Sequence, residues 1–340
     1  MNKFIFITIC CLLFFSVFLI YFAPCYSNGI FEIQQGENLI TIAENLKAQG
    51  YIQSEFPFYA YVALKQKQKE LKSGVYFFSS DDTFISIAEK IINGDTYTIK
   101  ITIPEGFNLK QIQERLINPT NMGFNREELL DHSLDRVLNK EDLKEFKIKD
   151  FKNEFDFLAS APDNADLQGF LFPDTYYFYP RRDTKQIINI FLNNFDKKMR
   201  SEIRQEIKNQ NKTIFDTITM ASLLEKEVRS LEDKKIVSGI LWKRLKINMP
   251  LQICATIVFI TDKKSVGVSI DDTKIDSPYN TYKYRGLPIG PICSPGIDSI
   301  KATLYPEHSE YLYYLSTPDK KTIFSKTLKE HNIAKAKYLK

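Results

Sequence analysis

Glu225 and Glu227 stand two positions apart in the run MASLLEKEV at 220–228, and the surroundings of Glu227 suit acid–base chemistry. Apolar spacing predicts a helix from Thr217 to Leu231, at roughly 100° per residue. On it Met220, Leu223, Leu224, Val228 and Leu231 share one side, and Glu227 falls among them. A carboxyl group on the buried side of a helix loses hydration when charged, so its pKa rises toward neutrality. That is the protonation state a general acid needs. Glu225 projects toward the edge of the stripe, near Arg229 and Glu232. These residues alone leave a second reading open, in which the stem of Glu227 packs at a contact edge while its head reaches water, Lys226 or Arg229.

Other chemistries find little support. There is no nucleophile elbow, phosphate loop or HExxH pattern. His132, His308 and His331 lie far apart, and no His and Cys residues have metal-ligand spacing, so neither a metal nor another cofactor is expected. Of the five cysteines, Cys10 and Cys11 sit in an apolar N-terminal run and Cys25 at its edge. Cys254 and Cys293 remain; an oxidising compartment permits a bridge between them, but sequence does not give their separation. Carboxylates are left as the catalytic groups. Near them in the chain, Ser277 to Gly296 packs seven Pro and Gly residues into twenty positions, interleaved with Tyr279, Asn280, Tyr282 and Tyr284. An ordered loop of this kind is either a ligand-contacting surface, with Tyr rings and an Asn amide suited to sugar or peptide, or a cover over the core.

The elements that must position these groups read as follows. A second helix is expected from Glu232 to Lys246, with Ile236, Val237, Ile240 and Leu241 buried. A long amphipathic helix is expected from Asp183, as its cap, to Gln210. The aromatic segment LQGFLFPDTYYFYP at 167–180 has strand character, as do Tyr97 to Ile103, Tyr311 to Ser316 and Thr322 to Phe324. Residues 120–165 read as a solvated, Lys-rich region with helical segments at Arg126 to Leu138 and Lys140 to Phe146. Further upstream, ENLITIAENL at 37–46 returns as DTFISIAEKI at 82–91, with a weaker echo in NLKQIQERL at 108–116. Each copy predicts a short helix with an acidic or amide cap, beside strands such as Gly74 to Phe78.

At 340 residues the chain has room for two domains, and 44% hydrophobic with 26% charged residues is ordinary globular composition. A net charge of +4 on scattered lysines argues against nucleic acid as a partner. Phe4 to Ala23 is almost wholly apolar and long enough to span a bilayer, so an uncleaved anchor is expected. Lys3 marks the cytoplasmic side, which places the rest of the chain outside the cytoplasm.

Taken together, the N-terminal anchor, LQGFLFPDTY at 167–176, MASLLEKEV at 220–228, MPLQ at 249–252, SPYNTY at 277–282 and GLPIGPICSPG at 286–296 resemble the MltG (YceG-like) endolytic murein transglycosylases. The resemblance implies an α+β fold, with an anchor in residues 1–25, a LysM-like glycan-binding region in 26–104 and a catalytic domain in 105–340. It implies cleavage of the bond between N-acetylmuramic acid and N-acetylglucosamine within glycan strands, leaving a 1,6-anhydro end. It also implies an inner-membrane location with action on nascent glycan beside the peptidoglycan synthases or the elongation and division machinery. The family's acid, the second Glu of the EKE triplet, falls on Glu227. Glu225, Gln252, Tyr279, Asn280 and Tyr282 are candidates to orient the substrate, while Asp174 suits a turn cap.

Three positions depart from the family pattern: Gln168 replaces a Glu, Cys254 an Asp, and Ile289 a Pro. Two rival functions are a muramidase-type hydrolase, with Glu225, Asp174 or Asp276 as second carboxylate, and a glycan-binding scaffold that regulates synthases.

Overall fold

The computed structural model describes residues 27–117, 143–180, 183–263, 268–319 and 321–339. The apolar run Phe4 to Ala23 and the helical segment expected at Arg126 to Leu138 lie outside them. Among the described residues no helix is long and apolar enough to cross a membrane. The architecture is α+β and divides into two compact units, Met1–Ile99 and Lys100–Lys340.

In the first unit the order is β1 (Gly29–Ile33), α1 (Leu39–Ala48), α2 (Glu55–Leu64), β2 (Gly74–Phe78) and α3 (Phe84–Asn93). The repeat extends further than its helices. Strand β2 lies 45 positions after β1 (29 to 74, 33 to 78), and Ile42, Ala43 and Leu46 of α1 recur 45 positions on as Ile87, Ala88 and Ile91 of α3, all six fully buried. The two strands pair antiparallel with Phe31 opposite Tyr76, Gly29 opposite Phe78 and Ile33 opposite Gly74. The register is therefore symmetric about its own centre, and two copies of one βα unit close a common core with Phe58 and Val62 of α2. Asn38 caps α1 through its amide oxygen, as the pattern predicts. At α3 the cap is Thr83, in a capping box with Ser86. Asp82 stands one residue earlier and instead accepts from Ser79, Ser86 and Lys90.

Strand β3 (Ile99–Thr102) starts at the last residue of the first unit, and the second unit continues with α4 (Leu109–Ile117), β4 (Thr175–Phe178), α5 (Thr184–Lys198), α6 (Ser201–Asn209), α7 (Ile214–Glu227), α8 (Leu231–Lys246), α9 (Cys254–Thr261), α10 (Ile297–Leu304), β5 (Tyr313–Ser316), β6 (Thr322–Ser325) and α11 (Leu328–Tyr338). Strand β3 pairs with β4, and β5 with β6 antiparallel. Leu143–Glu145, where a helical segment was expected, is a single 3-10 turn.

The helix expected over 183–210 is broken in two. Asp183 does cap α5, but the chain turns at Met199. The Met199 carbonyl freed there accepts from Arg204 Nε at 2.7 Å. Of the aromatic segment 167–180, only Thr175–Phe178 is strand. The remainder turns at Gly169, where φ is +89° and a Cβ would stand 2.6 Å from Pro291, so no side chain fits. Phe157, Phe170 and Phe195 pack ring to ring beneath it, each worth about 1.5–3 kcal/mol of burial.

Helix α7 is the axis of this unit. Thr217 to Leu224 are all buried, and the helix packs against α8, α9 and α10. It ends at Glu227 rather than at Leu231: Val228 is extended, and Leu231 opens α8 behind a Ser230 cap. The serine N-cap and the two acidic residues of the first turn, Glu232 and Asp233, start the new helix there.

Candidate active site

Because α7 stops at Glu227, this glutamate is a helix-terminal residue, and its carboxyl is held by elements distant in sequence. Tyr314 Oη on β5 donates to Glu227 Oε2 at 3.0 Å. The backbone N–H of Ala255, in the first turn of α9, also donates to the carboxyl, and the positive charge of Arg244 on α8 is felt there. Glu227 is half-buried. Burial pushes its pKa up from the ordinary carboxylate value, against the opposing pull of Tyr314, the Ala255 amide and Arg244. A pKa raised in this way favours the protonated form that a general acid uses. The carboxyl turns to Tyr314 and α9 and not to Lys226. The Lys226 ammonium instead donates to Gly106 O at 3.0 Å.

Glu225 faces another way. Its carboxylate accepts from the Gly296 N–H at 3.0 Å and the Ser299 hydroxyl at 2.6 Å, both at the start of α10, and from Lys234 Nζ at 3.3 Å. The side chains of Glu225 and Lys234 are 9% and 5% exposed. Glu225 is thus a buried clamp on a helix N-terminus, where the helix dipole favours its charge. A Cβ at Gly296 would collide with the Glu105 carboxyl, so the glycine permits a second carboxylate close by. Burial and the charge of Glu225 push the pKa of Glu105 up.

The segment after MPLQ is tied to the SPYNTY loop. Gln252 has φ +52° and is exposed, with its N–H on Thr281 O at 3.0 Å. A non-glycine residue in that conformation stores strain, of order 1 kcal/mol or more, which the two bonds between Ile253, Thr256 and Thr281 help to hold. Cys254, also exposed, lies with Sγ 3.0 Å from Tyr282 Oη, and both groups feel the charge of Glu227. Burial is the main cause that pushes the Tyr282 phenol and the Cys254 thiol up, so both are neutral near pH 7.

The remaining predicted residues separate from these. Tyr279 packs on Phe259 with ring centroids 4.9 Å apart, and burial pushes its phenol up to about 12. Asn280 is fully buried: its Nδ2 donates to Thr273 O and Ile275 O, and its Oδ1 accepts from the N–H groups of Tyr282 and Lys283. It shapes the loop from within. Asp174 accepts from Thr175, Asn194 and Lys198, and Asp276 from Tyr284 and Lys283. Gln168 caps α4 by accepting the Leu109 N–H at 2.8 Å, leaving its Nε2 buried without a partner. Cys254 and Cys293 are both free thiols, Cys293 buried against Ser222 O. Among the described residues no group of His, Cys, Asp and Glu has a metal-binding arrangement.

Tyr314 and Arg244 escaped the reading of the sequence. Tyr314 lies 87 positions from Glu227 in a short strand with no distinguishing pattern. For Arg244 there was a signal, a basic residue whose place on α8, like that of Lys234, is on the buried side, but such residues usually reach solvent by snorkelling.

The chain resembles known proteins over most of its length. It is 34% identical over 315 residues to a Bacillus subtilis protein named endolytic murein transglycosylase, covering 91% of this chain and 84% of that one. A Streptococcus pneumoniae protein of the same name is 28% identical over 314 residues; the match covers 88% of this chain and 56% of the longer relative. The crystal structure of a YceG-like protein from Listeria monocytogenes superposes with a TM-score of 0.57 at 31% identity, covering 91% of this chain and 99% of that one. The model of the YceG-like family matches residues 31–337, and the chain belongs to that family.

Proposed function

We propose that this protein is an endolytic murein transglycosylase, a lyase that cuts the N-acetylmuramic acid–N-acetylglucosamine bond within peptidoglycan strands. The observation that carries the reading is the environment of Glu227: one enclosed carboxyl, pushed up by burial, held by a phenol and a helix N-terminal amide. In its neutral form Glu227 gives its proton to the glycosidic oxygen as the bond to the anomeric carbon breaks. As carboxylate it then takes the proton of the muramic acid's own 6-hydroxyl, whose oxygen closes on the anomeric carbon to give the 1,6-anhydro ring. The proton lost in the first step is regained in the second. No water enters, and the nucleophile gains from being part of the same molecule.

Ordinary glycosidases set two carboxyls across the bond. Here the three rivals for a second one are engaged elsewhere: Glu225 on α10 and Lys234, Asp174 on Lys198, and Asp276 on Lys283. That favours the intramolecular route over muramidase hydrolysis. Tyr282, which feels the charge of Glu227, and exposed Gln252, three residues before the Ala255 amide, serve as substrate contacts. Tyr279, Asn280 and Glu225 act behind them by holding the loop and helix that carry the site.

The apolar run Phe4 to Ala23 supports anchoring in the cytoplasmic membrane with the catalytic unit outside, and the first unit serves as a LysM-like glycan-binding region. Such placement restricts the enzyme to strands near their site of synthesis, beside peptidoglycan synthases. The test is digestion of purified peptidoglycan followed by mass analysis of the ends. Anhydro-muramic ends are expected from the native protein and none from Glu227→Gln; reducing ends would assign a hydrolase, and unchanged release by Glu227→Gln would remove Glu227 from the mechanism.

A further inference from the structure

Arg244 is 5% exposed, and among the described residues no carboxylate lies within ion-pair distance of it. A buried guanidinium without an adjacent anion is costly unless its donors are used and its charge is opposed. Its Nε donates to Leu312 O at 2.7 Å and its Nη1 to Leu251 O at 2.6 Å, while its guanidinium carbon stands 5.1 Å from the Tyr313 ring centroid. Those contacts fall on two separate stretches. Leu312 and Tyr313 lead directly into Tyr314, whose phenol binds Glu227; Leu251 leads through strained Gln252 to Ala255, whose amide binds the same carboxyl.

We propose that Arg244 is a positioning residue of this site, one guanidinium that fixes both arms holding Glu227 and turns a permanent positive charge toward that carboxyl. The proposal rests on the reading of Glu227 as the acid–base group. The groups that face this pair come from several elements: Tyr313 and Tyr314 from β5, Cys254 from α9, Tyr282 from the loop, and His331 and Lys335 from α11. Burial pushes the Tyr314 and Tyr282 phenols and the thiol toward their neutral forms and pulls His331 down to its neutral form, while Lys335 acts on Cys254 and His331. Arg244 is the cation felt at Glu227 itself. The planar fork reaches two carbonyls at once and stays charged, a combination that lysine does not supply.

The test compares R244Q and R244K in the full chain, reading kcat, KM and the pH profile of anhydro-end release from purified peptidoglycan. Loss of the charge in R244Q is expected to lower kcat about tenfold or more with little change in KM. It should also move the alkaline limb of kcat/KM to higher pH, by about one unit, because an opposite charge no longer favours the carboxylate. In R244K the charge remains, so the limb stays in place while kcat falls with the lost fork. A folded R244Q whose limb does not move, or an R244K with native kcat, overturns the proposal. R244K carries the test alone if R244Q loses its fold, as judged by circular dichroism. Activity surviving in Glu227→Gln would instead overturn the underlying reading, whatever the Arg244 variants do.

Discussion

Tyr314 gives its phenolic hydrogen to one oxygen of Glu227, Oε2, across 87 residues of chain. The consequence is a carboxyl held in orientation by a phenol on Oε2, in addition to the Ala255 amide. Tyr314→Phe keeps the ring and removes the donor. Because the bond favours the charged form, its loss raises the pKa of Glu227 further, and the alkaline limb of kcat/KM should move to higher pH. With the carboxyl free to rotate, kcat should also fall about tenfold or more. A pH–rate profile of anhydro-end release checks both, and an unshifted limb would show that the phenol does not act on Glu227.

Glu227 also predicts a stability effect of unusual sign. Its folded-state pKa is raised, so the folded protein holds a proton that the unfolded chain has already released between the ordinary carboxylate pKa and the raised one. Above that window folding bears the full cost, about 1.4 kcal/mol for every pH unit that separates the two values; below the ordinary value there is none. Glu227→Gln, neutral at every pH, should therefore be inactive yet melt higher than the native protein at pH 8. The difference should shrink as pH falls through the window and vanish near pH 4. Thermal denaturation followed at several pH values measures it.

Much of this site was legible in the sequence, and its omissions have physical causes. Periodicity found α7 and singled out Glu227, but it carried the helix four residues too far. Val228 and Leu231 fit the stripe, and only the Ser230 cap, with acidic Glu232 and Asp233 behind it, reveals a new start. The repeated helices were visible because Ile42, Ala43 and Leu46 and their partners 45 positions later meet the same packing demand. The matching of strand to strand was hidden because five residues such as GIFEI and GVYFF share little beyond alternation. Asn280 and Glu225 looked like substrate contacts because polar residues in a loop or beside a catalytic group invite that role; their hydrogen bonds, all to other segments or to the loop's own backbone, become visible only in three dimensions.

Cys254 gives a probe of the site that leaves the rest of the protein untouched. Cys254 reaches the surface with its Sγ against the Tyr282 hydroxyl, whereas Cys293 is fully buried. Burial pushes the Cys254 thiol up and the charge of Glu227 adds to this, so the thiolate is scarce at pH 7. Of these two cysteines a maleimide should therefore label Cys254 alone in the folded protein, slowly at pH 7 and faster as pH rises, and labelling should abolish activity. Cys254→Ser should resist inactivation while keeping activity. Cys254→Asp adds a like charge near Glu227, so its alkaline limb should lie at higher pH. Mass spectrometry of labelled peptides together with rate measurements tests each point; label on Cys293 first would contradict the arrangement.

Glu225 and Glu227 are two residues apart and should respond oppositely to the same substitution. Glu225 is held by Lys234 and the first turn of α10, and Lys234 is itself buried. Glu225→Gln leaves that ammonium buried without its anion, which costs about 3–5 kcal/mol when one partner of a buried pair is removed. The protein should melt well below the native one, in contrast to the gain at Glu227→Gln, and its activity should recover on cooling because the acid itself is intact. Adding Lys234→Met removes the stranded charge and should restore most of the lost stability, since replacing both members of a buried pair is often nearly neutral. A double-mutant cycle on melting free energies isolates the interaction. A single Glu225→Gln variant with native stability would mean that the carboxylate does not clamp α10, and that Glu225 is free to act on substrate instead.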